Sequence, residues 1–289
     1  MSAPAPYQWI DSRILPADEI QVPLSRGLWY GDGCFETLLV DAGKTYGFKK
    51  HLNRLKGGLD YLGFTGIEEI IAQVPDGVRN LLEANKLHDR KSRVRIQVWR
   101  EGTPGFAPPD GQKPRLQIMA SPVTGESKPI KLAMVPTRRI PDSSLRSEFK
   151  LSSAANYIRA AAEARDAGAD EALMRTVEGF LSETTIANVF WLIGDTVYTP
   201  SSECDLLPGI MRECFIRWIK HEQISLRFVE GSFEADQIRK ADEVWLTNSV
   251  RMIQPVSEID DIRYQKAPQR FQNIHTDFRN YLNEQFSEI

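Results

Sequence analysis

The stretch FLSETTIANVFW, from Phe180 to Trp191, has the pattern of a half-buried β-strand. A glutamate, Glu183, stands near its middle and is followed by two threonines. A carboxylate in such a position is costly unless a positively charged group meets it. The stretch therefore predicts a strand whose glutamate has a cationic partner.

The composition around this stretch is that of a soluble globular protein. The chain has 289 residues, enough for one large domain or two ordinary ones, with 42% hydrophobic and 26% charged residues. A net charge of −3 argues against a general nucleic-acid binder, which would normally be basic. No segment reaches the roughly 18 apolar residues of a membrane span, and the first residues lack the pattern of a secretory leader. We therefore expect neither nucleic acid nor a membrane as a partner.

The numbers and spacing of cysteines and histidines favour a reducing compartment and do not predict a metal site. The three cysteines, Cys34, Cys204 and Cys214, are widely spaced and form no CxxC pair. Such usage favours a cytoplasmic protein. The four histidines, at positions 51, 88, 221 and 275, are scattered, so no zinc-ligand spacing occurs and a metal site is not expected.

Strand and helix patterns alternate in two blocks. In the first, residues 36–41, 93–99 and 115–120 read as strands, and helices are predicted from His51 and over 67–85. In the second, strands are predicted at 130–135, 171–176, 187–193, 195–200 and 241–247, and helices at 154–167, 209–220 and 267–282. The stretch SPVTGESKP, residues 121–129, reads as a linker. The class is therefore α/β (or α+β), with domains at 1–120 and 130–289.

Lys150 is the only lysine between Lys131 and Lys220. It could be an ordinary surface lysine, but Phe149 and Leu151 flank it and suggest partial burial. A desolvated lysine loses its proton more readily, and a neutral amine can form a Schiff base with an aldehyde. Pyridoxal phosphate would use both Lys150 and Glu183. Its aldehyde reacts with a lysine, and its protonated pyridine nitrogen would meet the carboxylate of Glu183.

The phosphate of such a cofactor needs a site of its own. The turn Leu207-Pro208-Gly209 leads into a predicted helix, whose first amides, those of Ile210 and Met211, can bind an anion. Asn248 and Ser249, at the end of a predicted strand, are further donors. Taken alone, the turn is equally consistent with an ordinary helix start.

The order of these and other motifs resembles that of the class IV, or fold-type IV, pyridoxal-phosphate enzymes. This family includes branched-chain and D-amino-acid aminotransferases and 4-amino-4-deoxychorismate lyase. The resemblance runs roughly from Leu24 to Val256. It rests on YGDGCFET from Tyr30, HLNRL from His51, Lys150, E-A-x3-G-x2-E from Glu163, SETTIANVF from Ser182, YTP from Tyr198, LLPGIMR from Leu206 and ADEVWLTNSV from Ala241.

The resemblance implies a fold and a set of roles. The fold is a two-domain α/β protein with a small N-terminal domain and a larger C-terminal domain that carries the lysine, with pyridoxal 5′-phosphate between them. A homodimer acting on a small-molecule amino substrate is implied as well. Lys150 matches the Schiff-base lysine and Glu183 the carboxylate at the pyridine nitrogen. The matches to phosphate ligands are Arg54, Ile210, Met211, Ser249 and Asn248, and those to residues near the substrate, which could equally be core residues, are Tyr30, Phe35 and Thr37.

Departures from the family pattern leave the reaction open. Tyr157 comes seven residues after Lys150, so we do not transfer to it the tyrosine that contacts the cofactor in branched-chain aminotransferases. The loop REGTPGFAPPDG lacks the Arg-x-His of D-amino-acid aminotransferases, although Arg100 in it could bind a substrate carboxylate or be a solvated loop arginine.

A glycine-rich segment typical of many deoxychorismate lyases is absent, yet GDGCFET and the run ANVFWLIGDTVYTP with the later GIMR look most like the lyase. The lyase is therefore the first prediction, and an amino-acid aminotransferase of the branched-chain or D-amino-acid type is the alternative. A non-enzymatic binding protein of the same fold is a third hypothesis, and the presence of Lys150, Glu183 and Arg54 together argues against it.

Overall fold

A computed structural model of the chain describes residues 5–21, 24–108, 111–112, 114–124, 128–221, 225–264 and 268–289. The chain forms two compact units. Its mixed α/β class is the one that the sequence predicts. Unit 1 comprises Met1–Gly125, Phe149–Ala154 and Gln285–Ile289, and unit 2 comprises Glu126–Glu148 and Ala155–Glu284. The sequence assigned Lys150 to the C-terminal domain, whereas the structure groups its segment with unit 1.

Unit 1 is built on a five-stranded antiparallel sheet. Its strands are β1 (Tyr7–Ile10), β2 (Arg13–Pro16), β3 (Gly33–Val40), β5 (Ser92–Arg100) and β6 (Pro114–Pro122). They lie in the order β2-β1-β6-β5-β3, which leaves β3 at one edge. A separate short pair joins β4 (Lys44–Thr45) to β16 (Ser287–Glu288).

Three helices accompany this sheet, namely α1 (Arg26–Tyr30), α2 (Phe48–Tyr61) and α3 (Ile67–Ala84). Helix α2 packs on β3 and α3 packs on β6. Alternate residues of β5, including Val94 and Ile96, are fully buried in one core with Leu55 and Leu59 of α2. The two periodicities read from the sequence, 2 for β5 and about 3.6 for α2, are confirmed by this shared core.

Unit 2 is built on a nine-stranded sheet. Its strands are β7 (Ile130–Arg138), β8 (Glu171–Arg175), β9 (Leu181–Thr184), β10 (Asn188–Ile193), β11 (Thr196–Pro200), β12 (Arg227–Gly231), β13 (Glu243–Asn248), β14 (Met252–Ile259) and β15 (Ile262–Arg263). The main order is β12-β11-β10-β13-β14-β7-β8-β9, and β15 pairs with β14. Because β9 pairs with β10 as well as with β8, the six strands β10, β13, β14, β7, β8 and β9 close on themselves.

The helices of unit 2 are α4 (Ala155–Asp166), α5 (Ile210–His221), α6 (Ala235–Arg239) and α7 (Pro268–Glu284), with a 3₁₀ turn at Ser202–Cys204. Helix α4 packs on β7 and β8 through small residues such as Ala160 and Ala164. On α5, the ring of Phe215 lies 5.0 Å from that of Phe190 and 4.9 Å from that of Phe278. Within the described residues, no helix combines the length and the apolar character that crossing a membrane requires.

The stretch Phe180–Trp191 forms two strands rather than the single predicted one. Strands β9 and β10 are joined by a tight turn over residues 185–187. Thr184 shapes this turn, because its Oγ1 accepts a hydrogen bond of 3.0 Å from the Ala187 amide. Threonine side chains favour such local bonds to the backbone, which is why a polar pair interrupts the apolar pattern here.

Candidate active site

Strand β9, which carries Glu183, pairs irregularly with β8. Leu173 and Arg175 are two residues apart on β8, but their partners on β9, Thr184 and Leu181, are three residues apart. The extra residue makes a β-bulge, a feature that re-aims side chains beside functional sites. Leu181 lies in one apolar cluster of unit 2, whereas Glu183 contacts Tyr157, which packs against another.

Three donors surround the Glu183 carboxylate, which is only 3% exposed. The Tyr157 hydroxyl donates to Oε1 at 2.8 Å, and Nε of Arg139 lies 3.3 Å from the same oxygen. Nδ2 of Asn188 donates to Oε2 at 3.3 Å. A buried carboxylate needs such partners, and Arg139 places one positive charge of the chain itself beside Glu183. The pairing of Glu183 with a protonated pyridine ring stays a prediction.

Tyr157 and Arg139, to which the sequence motifs assign no role, form one cluster with Glu183. The Arg139 guanidinium lies 4.4 Å from the centroid of the Tyr157 ring, and its Nη1 donates to Oδ1 of Asn156 at 3.1 Å. Burial, and then the charge of Glu183, raise the pKa of Tyr157 well above 10. Tyr157 therefore keeps its proton and acts as a donor to Glu183. The adjacent pair Asn156-Tyr157 was the sequence signal for this cluster.

Asn188 connects Glu183 to the loop before α5. The same Nδ2 that donates to Glu183 also donates to the carbonyl oxygen of Leu207 at 2.8 Å. A Cβ atom on Gly209 would lie 2.2 Å from Oδ1 of Asn188, so only glycine fits at this position. The glycine in the predicted phosphate turn is therefore explained by the close approach of Asn188.

Helix α5 begins where the sequence predicted it. Its backbone bond from the Glu213 amide to the Gly209 carbonyl is 2.9 Å long. The amides of Ile210 and Met211 precede this bond in the helix and have no acceptor within it. The start of a 12-residue helix also carries the positive end of the helix dipole, so these two amides form a suitable site for an anion.

Asn248 shapes the turn between β13 and β14. Its Oδ1 accepts hydrogen bonds from the amides of Val250, at 3.0 Å, and Arg251, at 2.8 Å. Its Nδ2 donates to the Ile186 carbonyl at 3.3 Å. These bonds occupy Oδ1 and one hydrogen of Nδ2, so the donation of Asn248 to a phosphate stays a prediction. Its side chain also holds the turn that carries Ser249.

Lys150 lies in an extended segment that runs along the exposed edge of β3 in unit 1. The Phe35 amide donates to the Lys150 carbonyl at 2.9 Å, and the Ser152 amide donates to the Gly33 carbonyl at 2.8 Å. These two bonds cover part of the edge of the sheet and fix the backbone of the lysine. This pairing across more than 110 positions of sequence places Lys150 in unit 1.

The Lys150 side chain lies against the predicted substrate residue Phe35. Its Nζ is 4.7 Å from the centroid of the Phe35 ring, and the Arg95 guanidinium is 3.8 Å from the same centroid. Thr37 is half-buried like Phe35, and the alternation of β3 places the two on the same face.

The other face of β3 carries a buried ionic cluster around Glu36. Arg54 donates from Nε to Oε1 at 2.6 Å and from Nη2 to Oε2 at 2.9 Å. Nδ1 of His51 lies 2.7 Å from Oε2. Burial alone would raise the pKa of Glu36, but Arg54 and His51 outweigh it and lower the pKa from 4.5 to about 2. The predicted phosphate arginine is therefore held by a carboxylate that remains ionised.

Acid should destabilise the wild-type protein more steeply than a Glu36→Gln variant. Since the pKa is 4.5 in the unfolded chain and about 2 in the folded one, the contribution of Glu36 is complete above pH 4.5 and is lost as pH falls toward 2. The total is about 3 kcal/mol, or up to about 1.4 kcal/mol per pH unit. Urea unfolding at a series of acidic pH values measures the difference in slope. Glu69→Gln, on the exposed side of α3, is the control, and equal slopes for Glu36→Gln and wild type would refute the assignment.

Tyr30 and Arg26, both on α1, hold the loop that follows β5. The Gly105 amide donates to the Tyr30 hydroxyl at 3.0 Å, and the Tyr30 ring lies 5.4 Å from that of Phe106. Arg26 is buried, and its guanidinium donates to the carbonyls of Thr103, Gly105 and Phe106. Tyr30, predicted to lie near the substrate, is thus a contact residue of this loop.

Removing the Arg26 side chain should release the loop without unfolding unit 1. Three carbonyl acceptors lose a charged donor in Arg26→Ala, and bonds to charged groups are among the stronger ones. We expect chymotrypsin to cleave after Phe106, which is 91% exposed, at least about tenfold faster than in wild type. Arg13→Ala, at an exposed position of β2, is the matched control. An unchanged cleavage rate in Arg26→Ala would mean that the loop is held by other contacts.

Arg100 is not the loop residue that the sequence suggested. It is the last residue of β5, it is 4% exposed, and its Nη2 donates to the Leu62 carbonyl at 2.6 Å. Its Nε lies 3.4 Å from Asp32, and its guanidinium lies 4.2 Å from the centroid of the Phe64 ring. The structure contradicts a solvated loop arginine, whereas the role of carboxylate binder stays a prediction. Arg100 is buried because strand β5 extends further than its alternating pattern indicated.

Residues 33–259 match the family model of amino-transferase class IV. That range is more than half of the 289 residues of the chain. The chain belongs to the class IV aminotransferase family. The resemblance drawn from the sequence motifs is confirmed, and the chain is an enzyme of a family that uses pyridoxal 5′-phosphate.

Relatives of this class IV enzyme include both lyases and aminotransferases. It is 30% identical to the aminodeoxychorismate lyase of Bacillus subtilis (strain 168) over 256 residues, 86% of this chain and 84% of the relative. It is 32% identical to a putative branched-chain-amino-acid aminotransferase of Methanocaldococcus jannaschii over 238 residues, 81% of each chain. The crystal structure of the Escherichia coli branched-chain amino acid aminotransferase superposes with a TM-score of 0.86 at 21% identity, covering 97% and 96% of the two chains. This last similarity concerns the fold alone.

The described residues of this class IV enzyme fit the cofactor of its family. Unit 2 offers a buried carboxylate, Glu183, which accepts hydrogen bonds from Tyr157 and Asn188, and the amide groups at the start of helix α5. Unit 1 offers the half-buried Lys150 and an arginine, Arg54, in a fixed orientation. A lysine, an acceptor for a protonated ring nitrogen and donors for an anion are the groups that pyridoxal phosphate requires. Among the described residues, no cluster of three or more His, Cys, Asp or Glu side chains could hold a metal ion.

Proposed function

We propose that this class IV enzyme is a 4-amino-4-deoxychorismate lyase, which releases pyruvate and 4-aminobenzoate. The observation that carries the choice of reaction is the 30% identity to the Bacillus subtilis aminodeoxychorismate lyase over 86% of the chain. Two sequence segments support it, namely GDGCFET from Gly31 and the run ANVFWLIGDTVYTP from Ala187.

The proposed cofactor ligands follow from the motifs and from the contacts described above. Lys150 binds the aldehyde of pyridoxal 5′-phosphate. Arg54 and the hydroxyl of Ser249 bind the phosphate together with the amides of Ile210 and Met211. Asn248 belongs to the proposed set as well, since its Nδ2 carries a second hydrogen besides the one that it donates to the Ile186 carbonyl.

Bound pyridoxal 5′-phosphate supplies an electron sink beside the reacting carbon of the substrate. The carboxylate of Glu183 holds the proton of the ring nitrogen. Tyr157 and Asn188 keep the two oxygens of this carboxylate in place by donating hydrogen bonds to them. The Nζ of Lys150 removes the substrate proton, a task for which a neutral amine in a partly buried position is suited. Phe35 lies against this amine, and Tyr30, Phe35 and Thr37 are the proposed substrate contacts.

An amino-acid aminotransferase is the second candidate. The 32% identity to the putative branched-chain-amino-acid aminotransferase of Methanocaldococcus jannaschii favours it. Both reactions share the roles of Lys150 and Glu183, and they differ in how the substrate carboxylates and leaving group are held. The loop after β5 lacks an Arg-x-His sequence, which favours a branched-chain over a D-amino-acid substrate for this candidate.

The two reactions are separated by their products. Purified protein with pyridoxal 5′-phosphate is given aminodeoxychorismate in one reaction and single L- or D-amino acids in others. Release of pyruvate and 4-aminobenzoate in equal amounts is the expected result. Conversion of the cofactor to its amine form with appearance of a keto acid would instead identify the aminotransferase and the handedness of its substrate. A protein that neither binds the cofactor nor forms either product would be a binding protein of this fold.

We also propose that the enzyme is a homodimer, as the resemblance to its family implies. Light scattering coupled to size-exclusion chromatography should give about twice the chain mass of 32.8 kDa. A mass equal to that of one chain at working concentrations would refute this assembly.

A further inference from the structure

Among the described residues of unit 1, Glu36 is the most deeply buried carboxylate that the proposed chemistry does not use. Its side chain has no solvent exposure, and it lies on the face of β3 opposite to Phe35. A carboxylate in an apolar core costs stability unless its charge and lone pairs are matched. Here both oxygens are matched, by Arg54 and by His51.

The Arg54–Glu36 contact fixes the orientation of the guanidinium. Two parallel bonds, of 2.6 Å from Nε and 2.9 Å from Nη2, join one edge of the planar group to the two carboxylate oxygens. A bidentate pair of this kind defines both the plane and the rotation of the group. The remaining nitrogen, Nη1, consequently lies on the side of the guanidinium away from Glu36. Arg54 itself is 12% exposed, so this outer side is near the surface of the core.

His51 restrains the carboxylate in turn. It is three residues before Arg54 on α2, so the two side chains lie on the same face of the helix. Its Nδ1 is 2.7 Å from the oxygen that Nη2 of Arg54 also contacts. The carboxylate is thus held by two successive turns of α2, and it cannot rotate without breaking contacts to both residues.

We propose that Glu36 is a positioning residue for the cofactor phosphate, which orients Arg54 by a bidentate ion pair and is itself held by His51. This proposal rests on the proposed role of Arg54 as a phosphate ligand. Two effects oppose each other here. The negative charge of Glu36 weakens the attraction of Arg54 for an anion, whereas the fixed orientation removes the freedom that a long arginine side chain would lose on binding. We infer that orientation dominates, because a buried guanidinium without its carboxylate would turn toward other acceptors.

The test separates the phosphate from the rest of the cofactor. Dissociation constants are measured by absorbance titration for pyridoxal 5′-phosphate and for pyridoxal, which lacks the phosphate. The proteins are wild type, Glu36→Gln, Arg54→Ala and the double variant. We expect Glu36→Gln to weaken binding of the phosphorylated cofactor at least about tenfold while changing pyridoxal binding less than about twofold. In the Arg54→Ala background, Glu36→Gln should cause no further loss.

Several results would overturn the proposal. An equal loss for both cofactors would make Glu36 a residue of general stability, and unchanged or tighter binding of the phosphorylated cofactor would mean that its charge outweighs orientation. If Arg54→Ala weakens phosphate binding and Glu36→Gln does not, only the role of Glu36 fails. If Arg54→Ala has no effect on either cofactor, the assignment of Arg54 fails as well, and a wild type that binds neither refutes the proposed function.

A conservative variant guards against misfolding. Glu36→Asp keeps the charge but withdraws the carboxylate by one methylene group, so the bidentate contact cannot form with the same geometry. Circular dichroism checks that each variant is folded. Glu36→Asp should show the same selective loss for the phosphorylated cofactor, smaller than that of Glu36→Gln, and a loss shared with pyridoxal would again contradict a positioning role.

Discussion

Replacing Lys150 with alanine is expected to abolish turnover and the visible absorbance of the covalently bound cofactor. The amine of Lys150 is both the proposed attachment point and the proposed proton carrier, and alanine can do neither. Proton transfer by a positioned side chain contributes about 10²–10⁴-fold, and losing covalent attachment adds to this, so we expect a rate loss of about 10⁴-fold or more. Absorbance spectra and product formation measure the two losses.

The control for this variant is Lys49→Ala, at an exposed position of α2 in the same unit. It should keep both the absorbance and the rate of the wild type. Because the backbone of Lys150, rather than its side chain, pairs with β3, Lys150→Ala should remain folded. A Lys150→Ala protein that keeps the absorbance band and turns over normally would show that another lysine does the chemistry.

Replacing Glu183 with glutamine should lower kcat by about 10²–10³-fold while leaving the protein folded. A neutral amide cannot hold the proton of the pyridine nitrogen, so the cofactor loses the charged partner that makes it an electron sink. Removing one such electrostatic contact typically costs a factor of this size. Steady-state kinetics at saturating cofactor measure the effect.

Glu183→Gln also leaves Arg139 without a carboxylate, so some loss of stability is expected. Thermal unfolding separates this loss from the kinetic one, since Arg139 retains its bonds to the Asp205 carbonyl and to Asn156. The control is Glu178→Gln, an exposed carboxylate in the turn before β9. Wild-type turnover in Glu183→Gln would remove the proposed pairing with the ring nitrogen.

Local sequence patterns predicted those elements whose cores are built from their own periodicity. Helix α2 and strand β5 were found because Leu55, Leu59, Val94 and Ile96 recur at the spacing of each element. The domain assignment of Lys150 could not be found in this way. Its segment joins unit 1 through bonds to β3, and those bonds link positions more than 110 residues apart.

The residues of the candidate site also fall into those that local sequence patterns predicted and those that only the packing of distant segments brings together. Glu183, Lys150 and the start of α5 were named from residue type and motif order. Tyr157 was set aside because its spacing from Lys150 departs from the family pattern, yet a helix packed on β7 and β8 brings it to Glu183. Glu36 is a second glutamate in an apolar strand, and this pattern was a sequence signal for a buried ionic cluster. Its two partners, His51 and Arg54, are three residues apart on one helix and therefore share a face.

The most direct test of the account is to locate the cofactor on the chain. Wild-type protein is loaded with a limiting amount of pyridoxal 5′-phosphate, reduced with borohydride so that the bond to the amine becomes permanent, digested and analysed by mass spectrometry. We expect the added mass on the single peptide that contains Lys150. Added mass on another lysine, or spread over several lysines, would contradict the assignment of Lys150 as the residue through which this class IV enzyme acts.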